Sequence, residues 1–144
     1  MNKSNKFLIS FIGLILFQVF MSMEEIIGHF PRWVALLTGK IHIRLSFVPV
    51  VHITDQIFML INLIIIIILF VFLGLVFVES NWSRIMAIIL GILEILNGVF
   101  HIATSIYFLR YVPGTISAVG VIIFALMVII IKPVLREPVF EEPQ

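Results

Sequence analysis

The chain has 144 residues, of which 62% are hydrophobic and 12% are charged, and its mean hydropathy of +1.25 excludes an ordinary soluble globular domain. Its net charge is +1, and its nine basic residues form no patch that would follow a nucleic-acid backbone, so we expect no nucleic-acid partner. The absence of cysteine excludes disulfides, thiolate metal ligands and a cysteine nucleophile. The composition predicts an all-α, polytopic integral membrane protein.

Four apolar segments have the length and composition of transmembrane helices. We expect helices rather than strands, because in lipid every backbone polar group must be satisfied within its own segment. The segments predict a four-transmembrane-helix bundle that forms a single domain, residues 1–132, followed by an exposed polar tail, residues 133–144. The predicted spans are residues 7–28, 55–78, 83–109 and 115–131.

The first span follows two lysines and ends before a proline. Lys3 and Lys6 precede it and no small-residue cleavage site follows it, so we expect a retained helix rather than a cleaved signal peptide. Pro31 disfavours helix in the residue before it and marks the end of the span. Four spans place both termini on one side of the membrane, and the two lysines predict that this side is cytoplasmic.

Residues 30–54 form the one long connection between the predicted spans. Within it, residues 40–47 alternate between polar and apolar, which predicts an extended or hairpin-like element at the membrane interface. Two interpretations stay open: a surface connector whose basic side chains reach the headgroups, and a lid over a site.

A polar stripe lies inside the third predicted span. Glu94, Asn97 and His101 occupy positions i, i+3 and i+7, which form one face of a helix. A charged group at mid-bilayer costs about 2.5–3.5 kcal/mol even on the most lenient scale, so we expect this face to point towards protein or a wet cavity. Gly91 and Gly98 flank the stripe and should allow a close helix approach, within the chain or in a homo-oligomer.

Further polar side chains lie near the end of the first span and at the start of the second. Because the first span ends, the second begins and the third ends on the same side of the membrane, we expect these groups to lie near Glu94 and His101. They are Glu24, Glu25 and His29 in the first span, and His52, Asp55 and Asn62 at or inside the second.

Together these residues predict an intramembrane Glu/Asn/His site. Glu94, Glu25 and Asn97 are the candidate catalytic residues, the carboxyls as general acids or bases and the amide to orient a substrate or water. A divalent metal such as zinc, iron or manganese is the predicted cofactor if one is present, although the spacing does not match the Glu-x-x-His pairs of di-metal bundles. The candidate ligands are Glu24, Glu25, His29, Glu94 and His101, with His52, Asp55 and Asn62 as accessory residues.

The leading functional prediction is a small membrane enzyme that acts on a lipid or isoprenoid-like substrate reaching the site from the bilayer. The reaction is either metal-assisted hydrolysis or acid–base isomerisation, and the residues do not decide between them. Two other classes stay open: a proton- or ion-coupled transport or channel protein, and a non-catalytic accessory or assembly protein. Individual residues also have simpler explanations, because membrane asparagines and histidines often bond across helices for packing alone and carboxyls near span ends reach headgroups.

Short motifs occur in order along most of the chain. They are Glu24-Glu25, Phe30-Pro31-Arg32-Trp33, Asn97-Gly98-Val99-Phe100-His101 and Tyr111-Val112-Pro113-Gly114-Thr115. In these motifs the chain resembles the HXXEE-motif family of small bacterial and archaeal membrane proteins. The resemblance implies a compact helical protein of a bacterial or archaeal cell membrane, with a candidate Glu/Asn/His site and no defined activity. Met21 stands where the family's first motif histidine is expected, so a metal site using that histidine is either lost here or completed by His29.

Overall fold

The structure, a computed structural model, describes the backbone of residues 3–77 and 81–131. Those residues form helices and connecting turns and contain no strand, so the all-α prediction is confirmed. The predicted polar tail, residues 133–144, lies outside the described residues. The helices are α1 (Lys3–Ile27), α2 (Phe30–Arg44), α3 (Asp55–Phe77), α4 (Asn81–Phe108) and α5 (Thr115–Ile130).

Three of these helices are long and apolar enough to cross a membrane. Their membrane-compatible stretches are Asn5–Ile27 in α1, Asp55–Val76 in α3 and Ile85–Phe108 in α4. Helix α5 is also apolar but has 16 residues, which extend about 24 Å and fall short of a typical hydrocarbon core of about 30 Å. Helix lengths therefore support membrane association and three of the four predicted spans.

The prediction of an extended element at residues 40–47 is wrong, because most of that segment belongs to α2. Pro31 in the first turn fixes a backbone angle suited to the start of a helix. Val34, Leu37 and Ile41 then follow the three- and four-residue spacing of a helix face, and all three are partly buried. An alternation over eight residues covers only about two helical turns, which is too short to distinguish the two structures.

Helix α5 packs most extensively against α1 and α4, while α3 contacts α1 and, less closely, α4. Since lipid tails are as apolar as leucine, close packing holds such helices together. Gly98 on α4 shows how close the approach is: a Cβ atom there would lie 2.8 Å from Cγ1 of Ile122 on α5. At Gly91 it would lie 3.2 Å from Cγ1 of Ile129. These glycines serve packing within the chain, and self-association stays a prediction.

Candidate functional site

A carboxyl–imidazole pair lies inside the bundle, where the last turn of α1 meets α4. Nε2 of His101 is 2.6 Å from Oε1 of Glu25, and both side chains are almost completely buried. Nδ1 of His101 lies 2.9 Å from the carbonyl oxygen of Pro113. Because a carbonyl oxygen only accepts, Nδ1 carries a hydrogen and donates it. Nε2 then faces Oε1 of Glu25 within hydrogen-bond distance, which places the two side chains close enough to exchange a proton.

Two neighbouring residues hold the imidazole in place. The ring of Phe30, the first residue of α2, stacks on that of His101 with centroids 4.2 Å apart and planes 28° apart. In the connection between α4 and α5, Gly114 has a φ of 92°, in the left-handed region that favours glycine. A Cβ atom on Gly114 would lie 2.5 Å from Nδ1 of His101 and 3.2 Å from Cγ of Glu25. The geometry of the pair therefore requires glycine at this position.

The adjacent carboxyl, that of Glu24, forms hydrogen bonds with the first turn of α5. Its Oε2 accepts hydrogen bonds from the backbone nitrogen of Ser117 at 3.2 Å and from the Ser117 hydroxyl at 2.7 Å. Its Oε1 accepts from the Tyr111 hydroxyl. The first backbone N–H groups of a helix lack intrahelical partners, and Gly114 at the N-cap has no side chain to supply one. Glu24 therefore caps α5 from another helix.

Tyr111 lies outside the membrane-compatible stretches, in the connection between α4 and α5. Partial burial, together with the hydrogen bond to the Glu24 carboxyl, raises the pKa of Tyr111 to about 12. The phenol therefore stays protonated, and able to donate to Glu24, throughout the neutral range.

Glu94 is buried, and its Oε2 has no hydrogen-bond partner among the described residues. With Asn97 it lines a groove of about 260 Å³ between α3 and α4. The other lining residues are aliphatic: Ile65, Ile68, Leu69, Leu90 and Leu93. Since buried polar atoms are normally paired, an unpaired carboxyl oxygen beside an apolar groove is the strongest sign of a binding or reaction site in this part of the chain.

A second buried acceptor lies at the same depth as Glu94. Gln18 is seven residues before Glu25 on α1, as Glu94 is seven residues before His101 on α4, so both lie about 10 Å along their helices from the pair. Oε1 of Gln18 is also buried and without a partner among the described residues. The polar interior thus has two levels, one with a bonded pair and one with unpaired oxygens.

His29 does not join this interior, in contrast to its predicted place near Glu94 and His101. Helix α1 ends at Ile27, and His29 adopts a left-handed conformation with φ of 51° between α1 and α2. Its Nδ1 lies 2.7 Å from Oδ2 of Asp55, and both side chains are about half exposed. This contact joins the α1–α2 connection to the start of α3.

The other two accessory candidates also separate. Asn62 is buried and accepts a 2.7 Å hydrogen bond from the Ser22 hydroxyl, while its amide nitrogen donates to the Phe58 carbonyl at 3.3 Å. It therefore links α3 to α1. His52 is exposed in the connection before α3.

The predicted metal ligands divide among separate contacts. No group of three or more histidine, aspartate or glutamate side chains is placed to hold a metal ion in the part of the chain that the structure describes. Glu24 binds α5, His29 contacts Asp55, and Glu25 pairs with His101. The metal-binding prediction has no support from this arrangement.

Several contacting residues were not identified from the sequence. The segment from Tyr111 to Thr115 is one of the short sequence motifs, yet no sequence pattern indicates that the Pro113 carbonyl accepts from His101 or that Ser117 donates to Glu24. One signal was available: Glu24 and Glu25 lie about 100° apart around α1, so they necessarily face different neighbours.

A comparison with protein-family models supports the resemblance noted in the sequence. The model described as "Protein of unknown function with HXXEE motif" matches residues 11–129, which include parts of all five helices. No curated protein and no solved structure gives a significant match. Met21, at the position of the motif's histidine, is fully buried in the apolar core.

Proposed function

This chain belongs to the HXXEE family of proteins of unknown function, and we propose that it is a small membrane enzyme that performs acid–base chemistry on a lipid or isoprenoid-like substrate. The proposal rests on the unpaired Glu94 carboxyl oxygen beside the groove between α3 and α4. In this proposal α5 is the fourth span of a transmembrane bundle, because it packs along both α1 and α4.

The groove suits a ligand with a hydrocarbon chain and a small polar group. Five of its seven lining residues are aliphatic, and Glu94 and Asn97 supply the polar atoms. A chain that lies along the aliphatic residues would bring its polar group to both side chains. Such a substrate reaches the groove from the bilayer without passing through water.

The residues divide the chemistry between two levels of the bundle. Glu94 removes and returns a proton at the substrate, and Asn97 orients the reacting group through its amide. The Glu25–His101 pair keeps a second exchangeable proton inside the protein, and the Pro113 carbonyl fixes the orientation of the imidazole. In an isomerisation one carbon loses a proton to Glu94 and another carbon gains one, so no co-reactant is consumed. Exchange of the proton on Glu94 with water between the two steps would bring solvent hydrogen into the product.

Incorporation of solvent deuterium tests this proposal. Protein in nanodiscs would be incubated in heavy water with a polyprenol and with total bacterial lipid, and deuterium in the carbon skeletons would be measured by mass spectrometry. We expect incorporation with the wild type, its loss with Glu94→Gln, and no change with His52→Ala, which alters an exposed histidine away from the groove. No incorporation by the wild type, or equal incorporation by Glu94→Gln, would contradict the proposal.

Proton-coupled transport is the second candidate, and one observation favours it. Glu94 and the Glu25–His101 pair are buried titratable groups stacked about 10 Å apart along the bundle, and a proton relay between them would need water molecules to bridge that distance. Vesicles containing the protein and an internal pH-sensitive dye would distinguish the candidates. Proton flux that Glu94→Gln abolishes, without deuterium incorporation into lipid, would favour transport over catalysis.

A further inference from the structure

Exposed positive charge gathers at the end of the bundle where α1 and α4 end. Its basic residues are Arg32, Lys40 and Arg44 on α2 and Arg110 between α4 and α5, and all four are exposed. The acidic residues described at this end are each bound to a neighbour. Glu24 contacts Tyr111 and Ser117, Glu25 contacts His101, and Asp55 contacts His29.

We propose that α2 lies in the headgroup layer of the membrane and binds the phosphate groups of anionic lipids. We use the name basic surface for Arg32, Lys40, Arg44 and Arg110. The proposal concerns a lipid-binding surface and is independent of the reaction proposed above.

The exposed face of α2 combines basic and apolar side chains as interfacial helices do. Arg32, Lys40 and Arg44 fall within an arc of about 120° around the helix, and Leu36 and Ile43 lie inside the same arc. Ile43 is 84% exposed, which suits contact with acyl chains better than contact with water. Long basic side chains beside such residues extend from the acyl boundary to the phosphates.

The helix is also anchored at the depth that this placement requires. The Trp33 ring packs edge to face on Phe108, with centroids 5.4 Å apart, at the end of α4. Lys40 holds its Nζ 4.7 Å from the centroid of the same Phe108 ring. Aromatic side chains at the end of a membrane-compatible helix are typical of the headgroup level.

The sign of the charge selects the lipid. Because the nearby carboxyls are bound within the protein, the basic side chains remain to attract anionic rather than zwitterionic headgroups. A basic residue near an anionic membrane surface contributes a factor of about five in binding. Helix α2 begins with Phe30, which stacks on His101, so the same helix covers the buried pair and contacts the lipid surface.

Quenching of Trp33 by brominated lipids measures this selectivity. With Trp82→Phe as background, Trp33 is the one tryptophan of the full-length protein, which is reconstituted with brominated phosphatidylglycerol or brominated phosphatidylcholine. We expect phosphatidylglycerol to be preferred at least about fivefold. The double variant Arg32→Gln/Arg44→Gln removes two of the four basic residues and should lower the preference at least about fivefold. Lys6→Gln, an exposed basic residue near the opposite end of α1, is the matched control and should leave it unchanged.

Three results would overturn the proposal. The first is equal quenching by the two lipids in the wild type, and the second is an unchanged preference in the double variant. The third is a loss of preference in inorganic phosphate that exceeds the loss in sodium chloride of equal ionic strength, because the surface would then bind free phosphate rather than lipid. Circular dichroism of each variant before reconstitution verifies that the helices are intact.

Discussion

The Glu25–His101 contact predicts an energetic coupling that a double-mutant cycle measures. The two side chains are buried and 2.6 Å apart, so removing one leaves the other without compensation. Breaking a buried charged pair costs about 3–5 kcal/mol, whereas hydrogen bonds between membrane helices average about 0.6 and reach about 1.7 kcal/mol. We expect Glu25→Leu to lower the free energy of unfolding by about 3 kcal/mol, near the low end because leucine fills much of the vacated space.

The double variant Glu25→Leu/His101→Leu replaces both partners with apolar groups. It should be more stable than the sum of the single losses implies, by about 2 kcal/mol or more, since neither buried polar group is then left alone. It should stay below wild type, because the Pro113 carbonyl also loses its donor.

The assay is reversible unfolding of detergent-solubilised protein with sodium dodecyl sulfate, followed by circular dichroism at 222 nm. Glu25→Leu combined with Gly39→Ala, a remote position with open space around it, is the control and should be additive. A coupling below about 0.6 kcal/mol would refute the reasoning, since the pair would then be no stronger than an average membrane hydrogen bond.

Two further predictions use the same region. Gly114→Ala should lower the free energy of unfolding by about 1–3 kcal/mol or more, because the positive φ of Gly114 is strained for alanine and the added methyl group meets His101. Gly39→Ala within α2 should instead raise the free energy of unfolding by about 0.5–1 kcal/mol, since the site has open space. Unfolding in dodecyl sulfate measures both variants, and equal effects would contradict the prediction. The pKa of Tyr111 should be about 12 in the folded protein, compared with about 10 in the unfolded chain. The stability that the Tyr111 hydroxyl contributes is therefore fully present below pH 10 and is lost as the pH rises through 12. Absorbance at 295 nm, assigned with Tyr111→Phe, should report this ionisation at a lower pH in Glu24→Gln, and an unshifted titration would refute the Glu24 contact.

The helices in the longest apolar segments could be predicted from the sequence, because in lipid every backbone polar group must be hydrogen-bonded within its own segment. Span 55–78 begins, as predicted, at Asp55, and span 83–109 differs from Asn81–Phe108 by two residues at its start and one at its end. The connection that became α2 was predicted wrongly. There the side chains pack against protein on one face and are exposed on the other, so neither periodicity is decisive over a few residues.

The site could be predicted in part. The heptad spacing of Glu94 and His101 places both on one face of α4, and both are buried. The pairing of His101 with Glu25 rather than with Glu24 could not be read from the sequence. It depends on the rotation of α1 about its axis, which the packing of α1 against α5 and α3 sets.

The sequence by itself determined that this chain is helical and apolar, and that it contains polar groups whose transfer into lipid is energetically unfavourable. Those properties follow from composition and from spacing along single helices, which are local. Only the tertiary structure decided that Glu25 contacts His101, that Glu24 caps α5, and that His29 contacts Asp55. Each of these contacts joins residues 26 to 93 positions apart, so their geometry depends on how whole helices pack rather than on any local pattern.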